Sequence, residues 1–144
     1  MIVYIIVVLM LIYESIVDLK KKYIHLWPVL VTGLMGGVIN MSIYGIKASG
    51  IMAGAAVGGI LLLMAFVSRQ QIGYGDAVVF LALGMCLGPV TALWVLWLSM
   101  LAAGVAGIVG IIRKKHGWRS QLPYMPFVTV GYIVLLPFIW MGQV

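Results

Sequence analysis

The sequence predicts an all-α fold, a polytopic membrane protein with six transmembrane helices, its N-terminus outside and its candidate functional groups at the cytoplasmic face. Three observations carry that expectation. Of 144 residues, 65% are hydrophobic and 8% charged, and the mean hydropathy is +1.21, a composition that cannot supply the charged exterior of a soluble domain. The apolar residues fall into runs close to the ~20 residues a helix needs to cross a bilayer. The Lys and Arg residues gather between those runs, as they do where basic side chains set the orientation of membrane helices.

The first predicted helix covers residues 2–19. It lacks a basic leader region and a small-residue cleavage site, so it reads as a retained span and not a removed signal. Lys20, Lys21 and Lys22 follow, then a second span over 26–44, a short turn with Lys47, and a third span over 51–67. Residues 76–112 as one helix would extend roughly 55 Å at the α-helical rise, and Gly88-Pro89 supplies a break within them. They divide into spans over 76–87 and 90–112. The first of these is short, as expected of a helix that lines a wet cavity or dips into the membrane at its entrance. The sixth span covers 126–141.

Charge supports this count. With the N-terminus outside, the inner loops hold Lys20, Lys21, Lys22, Arg69, Arg113, Lys114, Lys115 and Arg119, and only Lys47 is left outside. Merging the fourth and fifth spans would put the two basic clusters on opposite sides. The same parity brings Asp18, at the end of the first span, and Asp76, at the start of the fourth, to one depth at the inner face. Neither a linker nor an internal repeat interrupts the chain, so residues 1–144 are expected to form a single membrane domain. The lone Cys86 excludes an internal disulfide and a CxxC site and is expected to pack. Gly33 with Gly37, Gly54 with Gly58 and Gly84 with Gly88 offer faces on which helices can approach closely. Trp27, Trp94, Trp97, Trp118 and Trp140 suit the membrane interface near span ends.

The loops are too short to fold separately, so chemistry falls to side chains on the helices. Only three are acidic: Glu14, Asp18 and Asp76. A carboxylate in or near hydrocarbon is expensive, which makes each a candidate functional group. Asp76 follows Gly73-Tyr74-Gly75, whose glycines let the backbone bend and approach another segment; its plainer reading is a helix N-cap. Asp18 has a plain reading as a partner of Lys20, Lys21 and Lys22. Glu14 lies four residues before Asp18, on the same helix face and about 6 Å deeper, as a supporting acid or a protonated packing group. Two facing aspartates can hold one proton between them, because the first ionisation opposes the second. The ionised member then draws a proton from water attacking a peptide carbonyl, and the protonated member polarises the carbonyl oxygen. This chemistry needs no metal and no other cofactor, and two histidines with three acids show no metal-ligand spacing. Ser15, Ser42, Ser68, Ser99 and Ser120 lack a GxSxG setting, while His25 and His116 read as boundary residues.

These features resemble the GxGD-type prepilin peptidases, or type IV leader peptidases, over nearly the whole chain. Gly73-Tyr74-Gly75-Asp76 is similar to the family's GxGD motif, and the helix beyond it, from Phe80 to Gly84 with Gly88, is similar too. Asp18, followed by a basic stretch and Ile24, resembles the family's first catalytic aspartate. Leu122-Pro123-Tyr124-Met125-Pro126-Phe127 resembles the proline-aromatic-proline entry to the last helix. Two positions depart: His25-Leu26 stands where members commonly have Pro-Asn, and Val78 where many have lysine. The paired cysteines and N-terminal extension of the methylating members are missing as well, so the resemblance implies a peptidase core in the short form.

The resemblance implies an aspartic endopeptidase of the cell (plasma) membrane, with Asp18 and Asp76 catalytic and Gly73, Tyr74 and Gly75 supporting them. Its implied substrates are prepilin or pseudopilin precursors: a short basic leader, a cleavage site, then an apolar helix. The inner basic residues are expected to set orientation and contact anionic lipid, with no role for nucleic acid. A second class of function stays open, a small proton- or cation-coupled transporter built on the same acids. An assembly subunit without activity is a third.

Overall fold

The computed structural model describes residues 2–68, 73–112 and 123–142. Among them are six α-helices: α1 (Ile2–Lys21), α2 (Leu26–Ser42), α3 (Ala48–Val67), α4 (Tyr74–Leu87), α5 (Pro89–Ile112) and α6 (Met125–Trp140). No strand occurs among the described residues. By length and composition α1, α3 and α5 are each apolar and long enough to cross a membrane, while α2, α4 and α6 are shorter apolar helices. The expectations for Arg69, Arg113, Lys114, Lys115, His116, Trp118, Arg119, Ser120 and Leu122 lie outside the described residues.

The six runs expected from hydropathy are the six helices, with ends that differ by a few residues. The break at Gly88 has a local cause. Its φ of 87° and ψ of 169° fall in a region that only glycine occupies readily, and its N–H closes α4 onto the Gly84 carbonyl at 2.9 Å. Pro89 then opens α5, where its missing N–H leaves no bond unmade.

Helix α4 is the centre of the bundle. It packs on α1, α2, α3 and α5, most extensively on α3, and buries Val79, Phe80, Ala82, Leu83 and Cys86. Its contact with α3 is backbone on backbone. A methyl group on Gly54 would fall onto the Gly84 carbonyl, and one on Gly84 onto the Gly54 carbonyl, so neither position has room for a side chain. Gly58 meets the Leu81 backbone in the same way, and Gly36 of α2 meets Cys86. Gly88 does not join this packing; nothing lies within 4 Å of where its Cβ would be, and its role is the break.

Helix α6 closes the bundle against α1 and α5. Thr129 ties it to α1: its hydroxyl lies 3.1 Å from the Leu11 carbonyl and 3.0 Å from its own Met125 carbonyl, and Ser15 Oγ stands 2.6 Å away. The threonine proton goes to a carbonyl, so Ser15 donates to Thr129. Outside the core, large apolar side chains such as Leu9, Leu34, Leu63, Phe66 and Trp97 face outward, the exterior of a protein whose solvent is hydrocarbon. Trp27 is 80% exposed and Trp140 67%, in keeping with interfacial indoles near helix ends.

Candidate active site

Three helix ends converge on a cavity of about 530 Å³: the C-terminal end of α1, the N-terminal end of α4 and the N-terminal end of α6. Asp18, Lys22, Ile24, Asp76 and Tyr124 are among the residues that line it. Asp18 and Asp76, far apart in the chain, therefore face one space.

Asp18 is 7% exposed, and its Oδ2 accepts the Met125 N–H at 3.0 Å. Its hydrogen-bond partner lies across the bundle and is not the basic run beside it, which corrects the plain reading of Asp18 as a surface partner of Lys20 to Lys22. Met125 is the first residue of α6, so the carboxylate takes up the first N–H of that helix at the positive end of its dipole. Lys20 and Lys21 occupy the last turn of α1, where cations complement the opposite pole.

Asp76 is half-buried in the first turn of α4. The N-cap of that helix is Gly73, and no side chain caps it, which corrects the reading of Asp76 as an N-cap. The carboxylate instead folds back over Gly73, so that a Cβ there would come within 2.9 Å of Asp76 Oδ2. Gly75 is pressed against the α1–α2 turn, where its Cβ would lie 2.9 Å from Ile24 Cδ1. The two glycines thus serve different neighbours, one the carboxylate and the other Ile24. Tyr74, between them, is 39% exposed.

Glu14 is fully buried one turn before Asp18. Its Oε2 accepts the His25 N–H at 3.0 Å, while Oε1 has no hydrogen-bond partner among the described residues. The His25 ring lies between two exposed phenols, with Nδ1 3.0 Å from Tyr13 Oη and Nε2 3.2 Å from Tyr23 Oη.

Tyr124 and the Met125 N–H are absent from the candidate residues chosen from sequence. Ser99, buried in the middle of α5, donates its proton to the Leu96 carbonyl at 2.8 Å. Its contact with Tyr124 Oη at 2.8 Å therefore has the phenol as donor, which leaves the phenol oxygen's lone pairs available. Burial raises the Tyr124 phenol above the ordinary tyrosine range, and the charge of nearby Asp76 adds to the effect. The only sequence signal for Tyr124 was its place between Pro123 and Pro126. Ser15 and Ser99, weighed above as nucleophiles, are committed to ties between helices.

A family model described as the type IV leader peptidase family matches residues 5–108. The chain belongs to that family. The match contains both aspartates and the Gly73 to Asp76 tetrapeptide, and it stops before α6. Comparison with curated proteins and with solved structures returns no match. Membership of a leader peptidase family supports proteolysis and leaves the transporter alternative without support. The Met125 N–H that meets Asp18, and Pro123 and Tyr124 that line the cavity, lie beyond the matched residues.

Proposed function

We propose that the protein is a multi-pass aspartic endopeptidase of the plasma membrane that removes the short basic leader from prepilin or pseudopilin precursors. The observation that carries this reading is the shared cavity: Asp18 and Asp76 line one space where α1, α4 and α6 meet. Family membership supplies the class of reaction, and the two carboxylates supply a means of performing it.

In this reading one carboxylate is ionised and the other carries a proton. The ionised carboxylate takes a proton from a water molecule as its oxygen attacks the scissile carbonyl carbon. The protonated carboxyl hydrogen-bonds to the carbonyl oxygen and stabilises the charge that develops there. Collapse of the tetrahedral intermediate passes a proton to the departing amine, and the pair returns to its starting protonation. The Met125 N–H holds Asp18 in orientation, and the Gly73 to Gly75 turn brings Asp76 to the cavity. An extended peptide entering beside Tyr74 would present its carbonyl between them, with its apolar helix alongside the bundle.

The test is cleavage of a co-expressed prepilin-like substrate, read as a shift in gel mobility. Wild type is expected to process it, and Asp18→Asn and Asp76→Asn, each accumulating normally, are expected to leave it uncut. Full cleavage by either variant would remove the dyad.

A further inference from the structure

We propose that Glu14 is a positioning residue for Asp76, acting through the α1–α2 turn as a hydrogen-bond acceptor and not as a charge. The proposal rests on the dyad reading above, which gives the position of Asp76 its consequence.

A chain of contacts links the two acids. Glu14 Oε2 accepts the His25 N–H at 3.0 Å. His25 is the N-cap of α2 and offers that helix no side-chain cap, so the turn is not held by capping of its own. Ile24, the preceding residue, is what Gly75 packs against: a Cβ on Gly75 would lie 2.9, 3.1 and 3.3 Å from Ile24 Cδ1, Cβ and Cγ1. Gly75 is bonded to Asp76. Moving His25 moves Ile24, and Ile24 bears on the peptide unit that carries the carboxylate.

The turn needs an outside hold. Lys22, which opens it, has a φ of 54°, the left-handed region that side chains other than glycine and asparagine enter at a cost. The tyrosine contacts of the His25 ring are exposed and compete with water. Glu14 is wholly buried, and its bond to the turn is partly buried whereas the tyrosine contacts are exposed. Its second oxygen has no partner among the described residues. A buried carboxyl with an unmet oxygen destabilises the fold relative to an apolar side chain of that size, so what it contributes is the one bond it makes.

The geometry also shows how the hold could be replaced. His25 has a φ of −78°, inside the range a proline ring imposes. Proline has no N–H to satisfy, so it would stiffen the turn without an acceptor at position 14. Glu14→Leu should therefore lose activity, and Glu14→Leu with His25→Pro should regain it.

The experiment uses the full chain with a synthetic peptide carrying a basic leader, a glycine and an apolar helix. Glu14→Gln keeps an acceptor oxygen and is expected to hold kcat/KM within about twofold, with an unshifted pH profile. Glu14→Leu is expected to lower kcat about tenfold to a hundredfold at nearly constant KM, the scale of an ångström's misplacement of a reacting group. Adding His25→Pro should recover most of that loss. A second readout does not depend on catalysis: in a Cys86→Ala background, Ile24→Cys with Gly75→Cys tests the contact by oxidative cross-linking. Ile24→Cys removes the Cδ1 atom that a side chain at 75 would strike, and a small opening from 3.1 Å brings the Cβ atoms to the ~3.5–4.5 Å of a disulfide. The cross-linking rate should fall several-fold with Glu14→Leu and be unchanged with Glu14→Gln. If Glu14→Leu fails to accumulate, Glu14→Asp, one methylene too short to reach His25, takes its place in both readouts.

Loss of activity or a shifted pH profile in Glu14→Gln would overturn the proposal in favour of a charge role. So would full activity in Glu14→Leu, an unchanged cross-linking rate in that variant, or failure of His25→Pro to restore function. Should Asp18→Asn or Asp76→Asn cleave normally while cross-linking still follows Glu14, the dyad falls and the mechanical link stands.

Discussion

A methyl group on Gly73 would sit 2.9 Å from Asp76 Oδ2, closer than a Cβ tolerates, so this glycine is the floor on which the carboxylate rests. Gly73 has ordinary extended backbone, with φ of −64°, and Gly73→Ala should fold normally. Its penalty should appear in cleavage, as a loss of about tenfold or more from a displaced carboxylate, with the melting temperature in detergent nearly unchanged. Tyr124 gives a prediction in pH. Its phenol is raised above the ordinary tyrosine range by burial, so the neutral form prevails at every pH below that range. Tyr124→Phe should lower activity through the lost tie to Ser99, yet the shape of its pH–rate profile up to pH 10 should match that of wild type. A divergence of the two alkaline limbs below that pH would show the phenol titrating.

Among the elements, α4 carries the most constraint, being packed on four neighbours, carrying Asp76 at one end and stopping at Gly88 at the other. Gly88→Ala isolates the cost of that stop. No atom lies within 4 Å of the new methyl group, so the whole effect is the backbone conformation, expected to destabilise by about 1–3 kcal/mol and measurable by thermal unfolding in detergent. The break was legible in the sequence because Gly-Pro and an impossible helix length both pointed to it. The six helices were legible because apolar run length decides them. The environment of the acids was not. Asp18 reaches Met125 across 107 positions, Ser99 reaches Tyr124 across 25, and Glu14 finds a backbone N–H 11 residues on. Contacts of that kind depend on how helices pack, and local patterns say nothing of them. The reading of Asp76 as an N-cap failed for a related reason: the helix begins three residues earlier, at a glycine.

For the whole molecule, the pattern of basic residues makes a prediction about orientation. Lys47, at the start of α3, is expected outside, and Lys20, Lys21 and Lys22, at the other end of the bundle, inside. A reporter active only in the cytoplasm should be silent when fused in the turn after Ser42 and active when fused after Lys22; the reverse pattern would invert the topology. The bond between Asp18 and the first N–H of α6 has a consequence in time as well as space. A protease made on a ribosome beside unfinished membrane proteins must not cut before it is assembled. Here an aspartate synthesised early waits for a backbone group made 107 residues later. Until α6 is inserted the carboxylate has neither its anchor nor the far wall of its cavity. If Asp18 is catalytic as proposed, the order of synthesis does what a removable inhibitory segment does in other proteases, and competence arrives with α6.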